Sequence, residues 1–208
     1  MSLDKIVWLT LSVFFLTGGV AQSQTLEKNK KELTTTTPSK ESHVVDGFRS
    51  AKFGMNEKQV MQALLKDFKA TKELVLRKIN PAKKSRRLLI GVTDLALVGL
   101  DATIIYTLGF KSKKLTKVKI IWGRDVSSKV DNEQLHLLLN ALRKHFLKKM
   151  PMQSVIIDKD FKDGSTIIFR GQDEKGRMIL LVKSQSVSNK GLNLTISYIE
   201  KPPKAGKS

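Results

Sequence analysis

Three histidines and a short run of aspartates are the residues in this 208-residue chain whose types could carry catalysis or hold a metal. His136 and His145 stand nine apart in a stretch with helical periodicity. At 100° per residue that turns them about 180° from each other, so they cannot share a metal ion. His43 belongs to a separate polar segment. Asp158, Asp160 and Asp163 alternate weakly, as in a calcium loop, but Lys159 and Lys162 interrupt them and no later glutamate stands in register. A charged β-turn is the better reading of residues 158–164. The absence of cysteine excludes disulfides, thiol nucleophiles and Cys-ligated metals. HExxH, GxSxG, the P-loop and GxGxxG are all missing. The chain is therefore expected to be non-enzymatic and to carry no cofactor or metal.

What stands above background is positive charge. Lys and Arg total 38 against 19 Asp and Glu, a formal net charge of +19. Only eight of these are arginines (49, 77, 86, 87, 124, 143, 170 and 177), leaving 30 lysines. Arginine offers a planar fork for bidentate contacts, whereas lysine acts as a hydrated point charge. The lysine excess thus suggests diffuse attraction to anionic surfaces. Two segments concentrate it: Lys83, Lys84, Arg86 and Arg87, then Lys111, Lys113, Lys114, Lys117 and Lys119. If they fold beside one another they form one basic face, expected to bind an envelope protein or an anionic envelope polymer or lipid surface. The plain alternative is a face that only keeps the protein soluble. Nucleic acid is disfavoured, because aromatic residues are 6% of the chain and no base-stacking platform is apparent.

The compartment is set by the first residues. Residues 6–20 are apolar but too short to span a bilayer comfortably, and small residues follow at Gly19, Ala21 and Ser23. This pattern predicts a cleaved secretory signal peptide over 1–23 and a periplasmic or secreted protein. The alternative is an uncleaved anchor, since Asp4 weakens the positive start. Residues 24–45 are polar, with four consecutive threonines, and read as a flexible tether; 201–208 read as a disordered tail. At 40% hydrophobic residues, the remainder can build a real core.

That remainder divides into two similar halves, 46–125 and 126–200. Asn56 is a good N-cap, Gln59 completes a capping box, and Met55 with Val60 forms a hydrophobic staple. Val130, Asp131 and Gln134 to Leu135 repeat this helix start 75 residues later. A Thr-Ile-Ile run after Ala102 resembles one after Ser165, with an offset of 63. The mismatch of 12 places an insertion near residues 81–87 of the first half. Strands are predicted over 73–79, 87–95, 102–108 and 115–122, then over 153–158, 165–170, 177–184 and 192–199. The expected architecture is α+β: two tandem helix-plus-antiparallel-meander modules, each sheet with one face under a helix and one toward water.

The run from Gly54 to Val60, Gly-Met-Asn-Glu-Lys-Gln-Val, resembles the helix start of the small outer-membrane-assembly lipoproteins of the SmpA/BamE kind. The tandem plan is similar to that of the β-lactamase inhibitor proteins. Unlike the lipoproteins, this chain has no cysteine to carry lipid. The resemblance implies a structural role for Gly54, Met55 and Val60, and as an alternative function a secreted enzyme inhibitor that covers its partner's cleft with an open sheet face.

Overall fold

The computed structural model describes residues 44–96, 99–149, 155–186 and 191–202, all within the compact unit Lys40–Ser208. The signal peptide, most of the tether and most of the tail lie outside the described residues. The tether's last residue, Val45, belongs to the core instead. Its side chain is buried, and its N–H donates to the Asp173 carboxylate at 2.9 Å.

A small hairpin, β1 (Gly47–Phe48) with β2 (Ala51–Lys52), leads into helix α1 (Glu57–Phe68). The capping box forms as the residue types dictate. Gln59 N–H donates to Asn56 Oδ1 at 3.0 Å, and Asn56 N–H donates to Gln59 Oε1 at 3.0 Å. Val60, Ala63 and Leu64 turn inward from there. Asn56→Ala should cost about 1 kcal/mol in chemical denaturation. An unchanged midpoint would show that water replaces the box without loss.

Past α1, the stretch expected to begin a strand at Glu73 makes a 3-10 turn over Lys72–Leu74, because Leu74 and Val75 N–H groups bond back to Thr71 and Lys72. Four strands follow: β3 (Leu76–Ile79), β4 (Arg86–Val92), β5 (Ala102–Leu108) and β6 (Leu115–Gly123). Then come α2 (Asn132–Lys149) and β7 (Ile156–Asp160), β8 (Thr166–Gln172), β9 (Met178–Gln185) and β10 (Leu192–Ile199). Asp131 starts α2 by accepting the Glu133 N–H at 2.8 Å. The protein is mixed α and β, and its eight long strands form one antiparallel sheet in the order β3-β4-β5-β6-β10-β9-β8-β7.

Two expectations need correction here. The Thr-Ile-Ile runs lie on β5 and β8, which stand at different distances from the central β6–β10 pair, so they are not equivalent strands. Residues 81–87 are also not an insertion. Ile79 pairs directly with Arg86, and the intervening residues form the hairpin loop, closed by Asn80 N–H to Ser85 O at 2.9 Å.

Strand alternation sorts the side chains. On one face Leu88, Ile90, Ile104, Tyr106, Val118, Ile120, Leu181, Leu194 and Ile196 are buried. Val60 and Leu64 of α1 and Leu135, Leu138 and Phe146 of α2 belong to the same core, and Phe146 stacks on Phe169 at 5.4 Å. The β1–β2 hairpin joins this side through Phe48 against Tyr198. Among the described residues, no element packs over the opposite face. No described helix is long and apolar enough to cross a membrane.

Candidate functional site

The uncovered face is the candidate, and the strand register defines it. One row across the sheet reads Lys78, Arg87, Thr107, Lys117 and Ile199, from β3 through β10. The adjacent row reads Leu76, Leu89, Ile105, Lys119 and Ser197. No acidic residue stands in either row. Four cations on three of these strands therefore share one surface with aliphatic side chains between and beside them.

The nine basic residues expected to make one face divide into separate groups. Arg87, Lys117 and Lys119 come together on the open face. Lys83, from the β3–β4 loop, adds its charge to Lys117. Arg86 does not join them. One residue from Arg87 in a strand, it points to the helix side, where its guanidinium meets Glu57 at 3.1 Å. Lys113 borders the same shallow groove around Asn56, Glu57 and Arg86, with its ammonium 4.6 Å from the Phe110 ring centre. Lys111 and Lys114 lie exposed about the β5–β6 turn, and Lys84 is exposed in the β3–β4 loop. Lys78 was missed, although it shares the outward parity of Leu76 and needs only the β3–β4 register to bring it beside Arg87.

Arg87, Lys117 and Lys119 are half-buried rather than fully solvated, whereas Lys78 at the sheet edge is exposed. Burial first, then the charges of Lys119, Lys83 and Arg87, hold the Lys117 ammonium below the ordinary lysine range. Burial and Arg87 do the same to Lys119, against an opposing pull from Asp125. Arg87 Nε is buried without a hydrogen-bond partner. The site therefore concentrates positive charge in a partly dry setting, where Coulomb interactions are stronger than in water.

The other candidate chemistry is accounted for by local contacts. Asp158 pairs with Arg143 at 2.6 Å, Asp160 accepts the Thr166 hydroxyl at 2.6 Å, and Asp163 accepts the Ser165 hydroxyl at 2.7 Å. His145 meets the Phe146 ring edge-on at 5.3 Å, and His136 borders a crevice with Leu135 and Leu139. Among the described residues, no group of three or more His, Asp or Glu is placed to hold a metal ion.

Fold and face together describe an open-faced antiparallel sheet backed by two helices, with Lys78, Arg87, Lys117 and Lys119 grouped on the uncovered side. Comparisons with protein-family models, curated proteins and solved structures find no match to this chain.

Proposed function

We propose that this chain is an exported, non-enzymatic envelope protein that binds an anionic envelope surface through the open face of its sheet. One observation carries the reading: Lys78, Arg87, Lys117 and Lys119 share an uncovered face on which their strands bring no acidic residue beside them. Export rests on the apolar stretch and small residues of 1–23. In this reading the chain is also a tandem of helix-plus-meander modules. β3, β4, β5 and β6 begin 80, 80, 76 and 77 residues before β7, β8, β9 and β10, and α1 begins 75 before α2.

A second reading is favoured by a different observation on the same face. Leu89, Ile105, Ile121, Leu180 and Val182 are only half-covered there, a composition suited to docking on a protein partner. That is the inhibitor-like alternative, in line with the resemblance to tandem-module inhibitors.

The test is sedimentation with phosphatidylcholine vesicles containing phosphatidylglycerol, across a salt series. Lys83→Gln, Lys117→Gln and Lys119→Gln are combined in one protein. Each lysine contributes about 1 kcal/mol near an anionic surface, so binding should weaken about 100-fold. Glutamine retains much of the lysine stem, so stability should change by less than about 0.5 kcal/mol per site. Equal binding by parent and triple variant, or no binding by the parent at low salt, would remove the charge-driven reading. A single stoichiometric protein partner that stays bound at high salt would put the inhibitor reading in its place.

A further inference from the structure

We propose that Arg87, Lys117 and Lys119, with the Thr107 hydroxyl between them, form a receptor for the phosphate-ester headgroup of a lipid. This rests on the surface-binding reading above and names the chemistry that the surface would recognise.

The first argument is the contrast between Arg86 and Arg87. Consecutive in β4, they point to opposite faces, and the protein supplies Glu57 to Arg86 at 3.1 Å. Among the described residues nothing equivalent is supplied to Arg87, whose Nε is buried and unpartnered. A buried donor without an acceptor is costly unless a ligand completes it.

The second argument is spacing. Arg87 and Lys117 both stand opposite Thr107, one strand to either side. Strands lie about 4.8 Å apart, so the two backbones are about 10 Å apart, and Lys119 is about 7 Å further along β6. Long side chains from those three points can close on one tetrahedral anion, with Thr107 as a further donor beneath it. Arginine would take two oxygens through its fork, and the lysines would supply point charges. None of the three takes part in an ion pair within 4.0 Å among the described residues.

The third argument separates lipid from other phosphate carriers. Leu89 and Ile105 precede Lys119 in its own row, and Ile121 is the next outward residue along β6. An anion held here lies against aliphatic surface, which suits an amphiphile. No aromatic side chain stands in either row to stack a base, which argues against single-stranded nucleic acid.

The full chain is tested on two sets of phosphatidylcholine vesicles, one carrying phosphatidic acid and one carrying oleate, matched in measured surface potential. The parent should bind the phosphate vesicles about tenfold more tightly than the carboxylate vesicles, because a phosphate can give two oxygens to the arginine fork and a third to the lysines and Thr107, whereas a carboxylate has only two oxygens to share. Arg87→Lys keeps the charge but can no longer hold two oxygens while the lysines take a third, so its preference for phosphate over oleate should fall to near parity. Inorganic phosphate at the same bulk concentration should displace little protein. Equal binding to both vesicle types would overturn the phosphate receptor and leave general surface attraction standing. No binding to either at low salt would remove both. A preference that survives in Arg87→Lys would overturn the role of Arg87, and full displacement by inorganic phosphate would assign the site to free phosphate rather than lipid.

Discussion

Gly123→Ala should destabilise the protein by about 3–5 kcal/mol, the range reached when backbone strain is combined with overpacking. Gly123 closes β6 at the centre of the sheet with φ +121, a conformation that residues with a Cβ rarely adopt. An added methyl would also collide with the Leu192 carbonyl oxygen and with Asn193 on β10. Those neighbours cannot easily give way. Buried Asn193 donates to Asp125 Oδ2 at 2.7 Å and accepts the Asp125 N–H at 3.0 Å, while the Ser186 hydroxyl donates to Asp125 Oδ1 at 2.6 Å. The network ties the segment after β6 to both sides of the β9–β10 connection. Gly176→Ala is the control, since its φ of +71 is also positive but a Cβ there meets open space. It should cost only about 1 kcal/mol. Equal losses for the two variants in denaturant titrations would show that φ alone matters and that the seam yields.

Asp173→Asn should cost about 3 kcal/mol at neutral pH, because it breaks a pair that is almost wholly buried. The Asp173 side chain is 4% exposed and that of Arg177 14%. The carboxylate accepts from Arg177 Nε at 2.9 Å, from the Arg177 and Lys175 N–H groups at 2.9 and 3.0 Å, and from Val45 N–H at 2.9 Å. Burial pushes its pKa up, but the Val45 and Arg177 N–H groups and the Arg177 charge together outweigh that and hold it below the ordinary value. A carboxylate with a lowered folded pKa contributes stability above the unfolded value, near 3.9, and loses it as pH falls through the folded one. The gap between parent and Asp173→Asn should therefore be full at pH 7 and narrow below about pH 4. A gap that stays constant from pH 7 to pH 2 would show that the carboxylate charge plays no part. Because Asp173 also holds Val45, the Val45 amide should exchange with solvent faster in the variant.

The local elements were the most legible part of the protein. Asn56 and Gln59 specify α1 by chemistry confined to four residues, and its span begins where those residues place it. β5 and β10 run over Ala102–Leu108 and Leu192–Ile199, the spans that their apolar alternation and flanking turn residues predict. Glu73 was misplaced because the choice between strand and 3-10 turn at Thr71–Val75 rests on two backbone bonds rather than on a side-chain pattern. The Thr-Ile-Ile recurrence misled for a related reason. Any buried strand in this sheet favours β-branched residues, so a three-residue match reports the environment and not the position.

The basic face was half legible. The charge and its two clusters are plain in the composition, and alternation alone puts Lys117 and Lys119 on one side of a strand. Separating Arg86 from Arg87 needs only the same rule, but knowing that Glu57 waits on one side needs the helix in place. By itself, then, the sequence determined the capped helices, the alternating strands and the amount of positive charge, because each depends on neighbours within a few residues. Only the tertiary structure decided which strands lie side by side. Sheet register is set by pairing between strands rather than by neighbours along one strand, and it is register that brings Lys78, Arg87 and Lys117 into one row.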